Sequence, residues 1–232
     1  MKTFFAKKLP KPFVKAVKRS PLWLRHSSAY TNVYHCCVHK TASQWLQGLL
    51  GDRSVYRFSG LELCPNGSVN RGGYYPILES SPPFPEKTIA GSLHISFPNF
   101  EAIQKREPYK AFFVMRDPRD LVISYYFSMK VSHSNPQDPK KNEIFEARRA
   151  KLSEIDLGQG LHYVIDELNT YGLFQALASW ISAPHQNPSV KLFRFEDLTG
   201  PDAFSYFQDL FQYCDINLPE QGNRTSFCII CA

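Results

Sequence analysis

Long apolar runs are missing from this 232-residue sequence. A membrane-spanning helix takes about 18 consecutive apolar residues, and no such window occurs. Lysines interrupt the first residues, which have no apolar core typical of a signal peptide, so we expect a cytoplasmic protein. The six cysteines are not arranged in spaced pairs, which favours reduced thiols over a disulfide framework.

Acidic residues are absent from the first 26 positions, which carry eight lysines and arginines. The net charge of the whole chain is +6, so the remaining residues sum to −2. A near-neutral body with one basic arm does not indicate a nucleic-acid-binding protein. We expect residues 1–29 to form this arm, either solvated or in peripheral contact with an anionic membrane surface.

A Walker loop for ATP is also missing, because no Gly-x-x-x-x-Gly-Lys-Ser/Thr sequence occurs. A zinc site is not favoured either. His35, Cys36, Cys37 and His39 are close in sequence, but they fall in and just after a predicted strand. Side chains alternate between the two faces of a strand, so these four residues do not converge on one ion. We therefore expect no metal site.

One strand-turn-helix segment in the middle of the chain carries the strongest signal. Ala111–Met115 is a short apolar run without alternation, which is typical of a strand buried on both faces of a parallel sheet. Asp117 followed by Pro118 predicts the start of a helix. Arg116 at the end of the strand and Ser124 about two turns into the helix are what a phosphate site at the edge of such a sheet needs.

A second strand-turn-helix segment comes earlier in the chain. Thr31–Val38 predicts a strand and Ser43–Leu50 predicts a helix. Small residues in the turn between them leave backbone N–H groups free to face an anion, and Lys40 adds a positive charge. Taken alone, this turn is equally typical of an ordinary surface connection. Its combination with Arg116 and Ser124 favours a phosphate site.

His94 follows a third predicted strand, Thr88–Leu93. A histidine at the carboxyl end of a parallel strand faces the same crevice as Lys40 and Arg116. A neutral imidazole is a suitable base for a hydroxyl proton near pH 7. The alternative is a histidine with a purely structural role.

The remaining patterns predict one α/β domain over residues 30–220. Further helices and one strand are predicted at Phe97–Lys105, Glu143–Lys151, Leu161–Leu168, Leu173–Ser182, Val190–Phe195 and Ala203–Tyr213. Arg57–Glu86 and Met129–Lys141 are rich in turn-forming or polar residues and predict loops. Strands that alternate with helices along a chain are typical of a parallel sheet.

Four segments resemble the sulfotransferases that use 3′-phosphoadenosine 5′-phosphosulfate (PAPS). Phe113–Tyr126, which contains Arg116 and Ser124, resembles the 3′-phosphate-binding segment of that family. The turn from His39 to Trp45 resembles its 5′-phosphosulfate loop. Three residues of this turn differ from the usual pattern, since His39 replaces a proline, Ala42 a glycine and Gln44 a hydroxyl residue.

The other two segments are shorter. Arg194-Phe195-Glu196-Asp197-Leu198 resembles a segment whose aromatic residue lies near the adenosine, although Phe195 lacks the hydroxyl of the usual tyrosine. His94 falls at the position of the histidine in the family's Thr-His-Leu-Pro segment. The resemblance covers about residues 30–220.

The resemblance implies a P-loop-like three-layer domain with a central parallel sheet flanked by helices. It implies PAPS as co-substrate without a metal, and transfer of a sulfuryl group to a hydroxyl or amine of a small-molecule, lipid or carbohydrate acceptor. Lys40 and His94 would be catalytic. The implied cofactor-binding residues are Lys40, Thr41, Ala42, Ser43, Gln44, Trp45, Arg116, Ser124 and Phe195.

The resemblance stops after Glu220. Residues 221–232 do not match the Arg-Lys-Gly segment with which family members usually cover the cofactor, so we expect an atypical tail on a C-terminally shortened chain. Two alternatives to an active sulfotransferase stay open. One is a degenerate nucleotide-binding domain without turnover, and the other is a P-loop-type small-molecule kinase.

Overall fold

Five parallel strands form the centre of the computed structural model, which describes residues 23–65 and 83–219. The strands are β1 (Asn32–Cys37), β2 (Glu62–Pro65), β3 (Thr88–His94), β4 (Tyr109–Met115) and β5 (Val190–Arg194). Their order across the sheet is β2-β3-β1-β4-β5, and every pairing is parallel. β1 is therefore the central strand and β4 lies next to it, so their carboxyl ends meet at the same edge of the sheet.

Ten α-helices of the described ranges connect and cover these strands. They are α1 (Ser43–Leu50), α2 (Arg53–Arg57), α3 (Phe97–Ala102), α4 (Pro118–Phe127), α5 (Pro139–Glu154), α6 (Leu157–Thr170), α7 (Leu173–Ser179), α8 (Ala183–Gln186), α9 (Phe195–Thr199) and α10 (Ala203–Tyr213). A π-helical segment, Ser128–Ser132, follows α4. None of the described helices is long and apolar enough to cross a membrane.

Helices lie on both faces of the sheet, and each face has its own apolar core. Phe113 of β4 belongs to the core covered by α3 to α8, whereas Phe112 belongs to the core covered by α1, α2, α9 and α10. Adjacent residues of a strand point to opposite faces, so an apolar run such as that of β4 supplies both cores. The predicted α/β class, with a central parallel sheet flanked by helices, is confirmed.

Trp180 anchors the larger of the two cores. Its side chain is fully buried, and its ring stacks on Phe113 with 4.7 Å between ring centroids. The indole N–H donates a hydrogen bond of 2.9 Å to the Ile95 carbonyl, just beyond the end of β3. The bond satisfies the buried indole N–H of Trp180, and it ties the end of α7 to the chain that follows His94.

A bulge in β3 sets the direction in which the end of this strand points. Tyr34 pairs with Ala90, but Cys36 pairs with Leu93, so β3 holds one extra residue between these pairs. Ser92 in the bulge has φ 56°, and its hydroxyl donates to the carbonyl of Ser43 at 3.1 Å. The extra residue shifts the register of everything that follows.

The N-terminal arm predicted over 1–29 is described only from residue 23, and the predicted tail at 221–232 lies outside the described residues. Peripheral membrane contact and a cytoplasmic location therefore stay predictions. The loop predicted over Arg57–Glu86 is wrong near its start, because Glu62–Pro65 forms β2 at the sheet edge. Four residues are too few for a periodic pattern to be recognised.

Helix boundaries account for the other differences. Met129–Lys141 is not a continuous loop, because it begins in the π-helical segment and Pro139 opens α5. The Asp138 carboxylate accepts the N–H of Lys141 at 3.0 Å, which caps α5. Both α5 and α6 extend beyond the predicted bounds, α7 ends at Ser179 instead of Ser182, and Phe195 begins α9 instead of ending β5.

Gly160 of α6 tests the contact between α4 and α6. A Cβ atom at this position would lie 2.5 Å from Cε2 of the buried Tyr126. We expect Gly160→Ala to lower the free energy of unfolding by about 1–3 kcal/mol, because overpacking outweighs the better helix propensity of alanine. Chemical denaturation measures the change.

Gly48 of α1 provides the matched control, because a Cβ atom there meets nothing within 4 Å. Gly48→Ala should raise the free energy of unfolding by about 1 kcal/mol through helix propensity alone. Equal effects of the two alanines would show that α4 and α6 are not in close contact at Gly160.

Candidate functional site

The connection between β1 and α1 has an unusual backbone. Lys40 and Ala42 have φ angles of 68° and 59°, in the left-handed region that residues with a Cβ seldom occupy. The buried Thr41 hydroxyl donates to the Val38 carbonyl at 2.9 Å, which ties the turn to the residue that follows β1. Among the described residues no side chain caps α1, so no side chain accepts the N–H groups of its first turn, where Ser43 and Gln44 line the cavity described below.

The connection between β4 and α4 is built from the residues that the sequence indicated. Asp117 is the N-cap of α4, where its carboxylate accepts the N–H of Arg119 at 2.8 Å, and Pro118 is the first helical residue. The N–H of Asp117 donates to Glu196 at 2.8 Å, which joins this turn to the start of α9. Ser124 lies half-buried in the second turn of α4.

Arg116 links three loops at this edge of the sheet. Its Nη1 donates a hydrogen bond of 2.7 Å to the carbonyl of Lys40. Its guanidinium lies over the ring of Phe195 at 4.2 Å from the centroid, a cation–π contact. Its Nε atom is buried and has no hydrogen-bond partner among the described residues. Arg116 therefore holds the Lys40 turn in place, and its Nε–H is still able to donate a hydrogen bond.

A cavity of about 680 Å³ opens at the carboxyl ends of the strands. It brings together eight of the predicted site residues, namely Lys40, Ala42, Ser43, Gln44, His94, Arg116, Ser124 and Phe195. No carboxylate is among the described residues that line it. Partial burial and the nearby Arg116 lower the pKa of Lys40, because both disfavour another positive charge here. The cavity is therefore suited to an anion.

His94 faces the same cavity next to His39, and the two imidazoles stack with 4.6 Å between their centroids. The pKa of His94 is lowered to about 4, mainly by burial and further by His39, against a smaller raising effect of the Ser92 backbone. His94 is neutral near pH 7, so it has a lone pair with which to accept a proton.

Two predicted residues do not line the cavity. Thr41 is turned to the Val38 carbonyl, and the Trp45 ring makes an edge contact with Phe207 of α10 at 5.2 Å between centroids. Their predicted roles in cofactor binding stay predictions.

Seven further residues that line the cavity were not assigned to the site by sequence reasoning. They are His39, Tyr125, Ser128, Met129, His133, Phe145 and Arg148. Arg148 pairs with Glu167 at 2.5 Å and donates to the Tyr171 hydroxyl at 2.9 Å. Tyr125 is next to Ser124 in the segment Phe113–Tyr126, so the sequence could have indicated it as a site residue. Nothing in the sequence relates α5 to this cavity.

Comparison with known proteins gives structural likenesses, among them the following distant one. No family model matches the sequence, and no curated protein matches it. The crystal structure of mouse sulfotransferase SULT7A1 complexed with PAP is similar at 12% sequence identity and a TM-score of 0.48. The match covers 86% of this chain and 63% of that chain, so this chain spans less than two thirds of the mouse protein. A match this distant identifies neither a family nor an activity.

The left-handed conformation of Ala42 can be tested by substitution with glycine. Glycine adopts φ 59° without the clash of a Cβ atom, so Ala42→Gly should raise the free energy of unfolding by up to about 1 kcal/mol. Ala178→Gly, at an exposed position within α7, should lower it by about the same amount. Chemical denaturation of both variants decides. A loss of stability on Ala42→Gly would contradict the assigned backbone.

Proposed function

We propose that this protein is a PAPS-dependent sulfotransferase that moves a sulfuryl group to an acceptor hydroxyl or amine. The observation that carries the proposal is the convergence of Lys40 and Arg116 on one cavity, joined by a hydrogen bond of 2.7 Å. They follow two neighbouring strands and represent the two phosphate-binding segments of the sequence resemblance. Ser124 and His94 line the same cavity.

The cavity suits a nucleotide with phosphates at both ends. Among the described residues, the buried Nε of Arg116 has no hydrogen-bond partner, no side chain caps α1, and cations but no carboxylates line the cavity. These are the features that anion binding requires. Arg116 and Ser124 would hold the 3′-phosphate, and Lys40 with the first N–H groups of α1 would hold the 5′ end. A volume of about 680 Å³ lies within the range of small-ligand sites.

Lys40 and the amides of α1 also provide the main catalytic contribution. PAPS supplies an activated sulfuryl group with a phosphate as its leaving group. Negative charge grows on that phosphate during transfer, where fixed donors at the start of α1 and the Lys40 ammonium stabilise it most. The bond from Arg116 to the Lys40 carbonyl fixes the turn beforehand, so little reorganisation is needed during the reaction.

His94 is assigned the acceptor's proton. It is neutral near pH 7 and lines the same cavity as Lys40, Met129 and Phe145. It would accept the proton of the attacking hydroxyl or amine as its oxygen or nitrogen bonds to sulfur. Small-molecule, lipid and carbohydrate acceptors all have such a group.

A degenerate domain that binds the nucleotide without turnover is the second candidate. The observations that favour it are the strained Ala42 and the existing contacts of Arg116 with Lys40 and Phe195. A small-molecule kinase has less support, because none of the described cavity-lining residues is a carboxylate that could hold magnesium.

Nucleotide binding tests the proposal directly. Isothermal titration calorimetry should give tighter binding of 3′,5′-adenosine diphosphate than of 5′-adenosine diphosphate or ATP. Arg116→Ala should weaken binding of the first nucleotide by roughly 2–4 kcal/mol, because a charge-assisted contact is lost. Since Arg116 also braces Lys40, Ser124→Ala is the cleaner variant.

Ser124→Ala removes only a hydroxyl, so it should reduce the preference for the 3′-phosphorylated nucleotide by about 1.5–3 kcal/mol. Binding of 5′-adenosine diphosphate should stay constant, and Ser153→Ala, at an exposed position of α5, should change neither nucleotide. An undiminished preference in Ser124→Ala would remove the 3′-phosphate assignment.

Turnover separates the two candidate functions. Transfer of radiolabelled sulfate from PAPS to a panel of phenol, alcohol, amine and sugar acceptors should yield product with the wild-type chain. His94→Ala should reduce turnover about 10²–10⁴-fold through loss of a general base, without changing the affinity for 3′,5′-adenosine diphosphate. The control is His162→Ala, on the exposed side of α6. Nucleotide binding without transfer to any acceptor would favour the degenerate domain.

A further inference from the structure

Two histidines from neighbouring strands meet face to face at the cavity. His94 ends β3, opposite Cys37 of β1, and His39 follows β1 by two residues. Their ring centroids are 4.6 Å apart with 30° between the planes. Tyr125 of α4 contacts the His39 ring edge-on at 6.4 Å. The His39 ring is therefore held between His94 and α4.

We propose that His39 is a positioning residue for His94, whose ring it holds in place by stacking. The role of His94 as the base rests on the proposed function, but the pairing of the two rings does not. The sequence resemblance has a proline at the position of His39, so this pair is a property of the present chain.

The titratable groups near the pair are mostly basic. Lys40 lies on the same turn, His133 after the π-helical segment, the buried His35 on β1 and Tyr125 on α4. Arg148 lines the same cavity but is paired with Glu167. No carboxylate is among the described residues of the cavity wall. A second imidazolium next to a first would thus have no counter-ion.

His39 also affects the protonation of His94. Burial, Lys40 and His133 lower the pKa of His39, whereas the pKa of His94 falls to about 4 through burial and His39. A proton on His39 opposes one on His94, because two like charges would then lie side by side. Stacked rings do not align an N–H with the neighbouring nitrogen, so no proton passes directly between them.

Histidine titration by NMR tests this without nucleotide or acceptor. His39→Phe keeps an aromatic face but removes the charge, so the titration midpoint of His94 should rise by about half a pH unit or more. His39→Gln removes the charge and the ring, and should raise the midpoint as well. The control is His185→Gln, on α8 outside the cavity, which should leave the His94 midpoint at its wild-type value.

Two results distinguish this inference from the proposed function. A His94 midpoint that stays at its wild-type value in both His39 variants overturns the pairing, whatever the activity. A raised midpoint supports it even if no variant transfers sulfate. If transfer occurs, the acid limb of kcat/KM should move to higher pH in His39→Phe by the same interval, since the neutral base is then lost earlier on acidification.

Discussion

The hydrogen bond from Arg116 to the Lys40 carbonyl is the contact on which the site depends. It joins the carboxyl ends of β1, the central strand of the sheet, and β4, which lies next to it. In a parallel sheet the loops after neighbouring strands converge at one edge, so the fold brings these turns together, but it does not fix their distance. The hydrogen bond fixes the distance between the two turns. The contact of Arg116 with Phe195 joins the chain that follows β5 to them.

This arrangement concentrates positive charge that nothing in the described cavity wall neutralises. Burial, and after it the nearby Arg116, lowers the pKa of Lys40, because both disfavour the ammonium charge there. The turn between β1 and α1 adds backbone strain at Lys40 and Ala42. Both features cost stability, and both are typical of sites where a ligand or a transition state provides the compensating interaction. The α/β scaffold tolerates them because its two cores lie beneath them on both faces of the sheet.

Sequence reasoning succeeded where local chemistry decides the structure. Asp117 and Pro118 mark the start of α4, and the apolar run before Arg116 marks β4, so the position of Arg116 at a strand end followed directly. It failed where contacts between distant segments decide. Arg148 reaches the cavity only because α5 lies beside the π-helical segment, and β2 exists because four residues pair with β3.

The deviations from the expected phosphate-loop pattern become coherent once the backbone is considered. Ala42 occupies a left-handed position where glycine is usual, yet Thr41 and Arg116 hold the turn from two sides, so the conformation survives the substitution. The same turn carries His39 at one end and the start of α1 at the other. Donors for an anion and a partner for the His94 ring are thus positioned by one short connection. Under the proposed function, a change in the backbone of this turn would alter both the stabilisation of negative charge and the protonation of His94, so the turn would couple nucleotide binding to proton transfer.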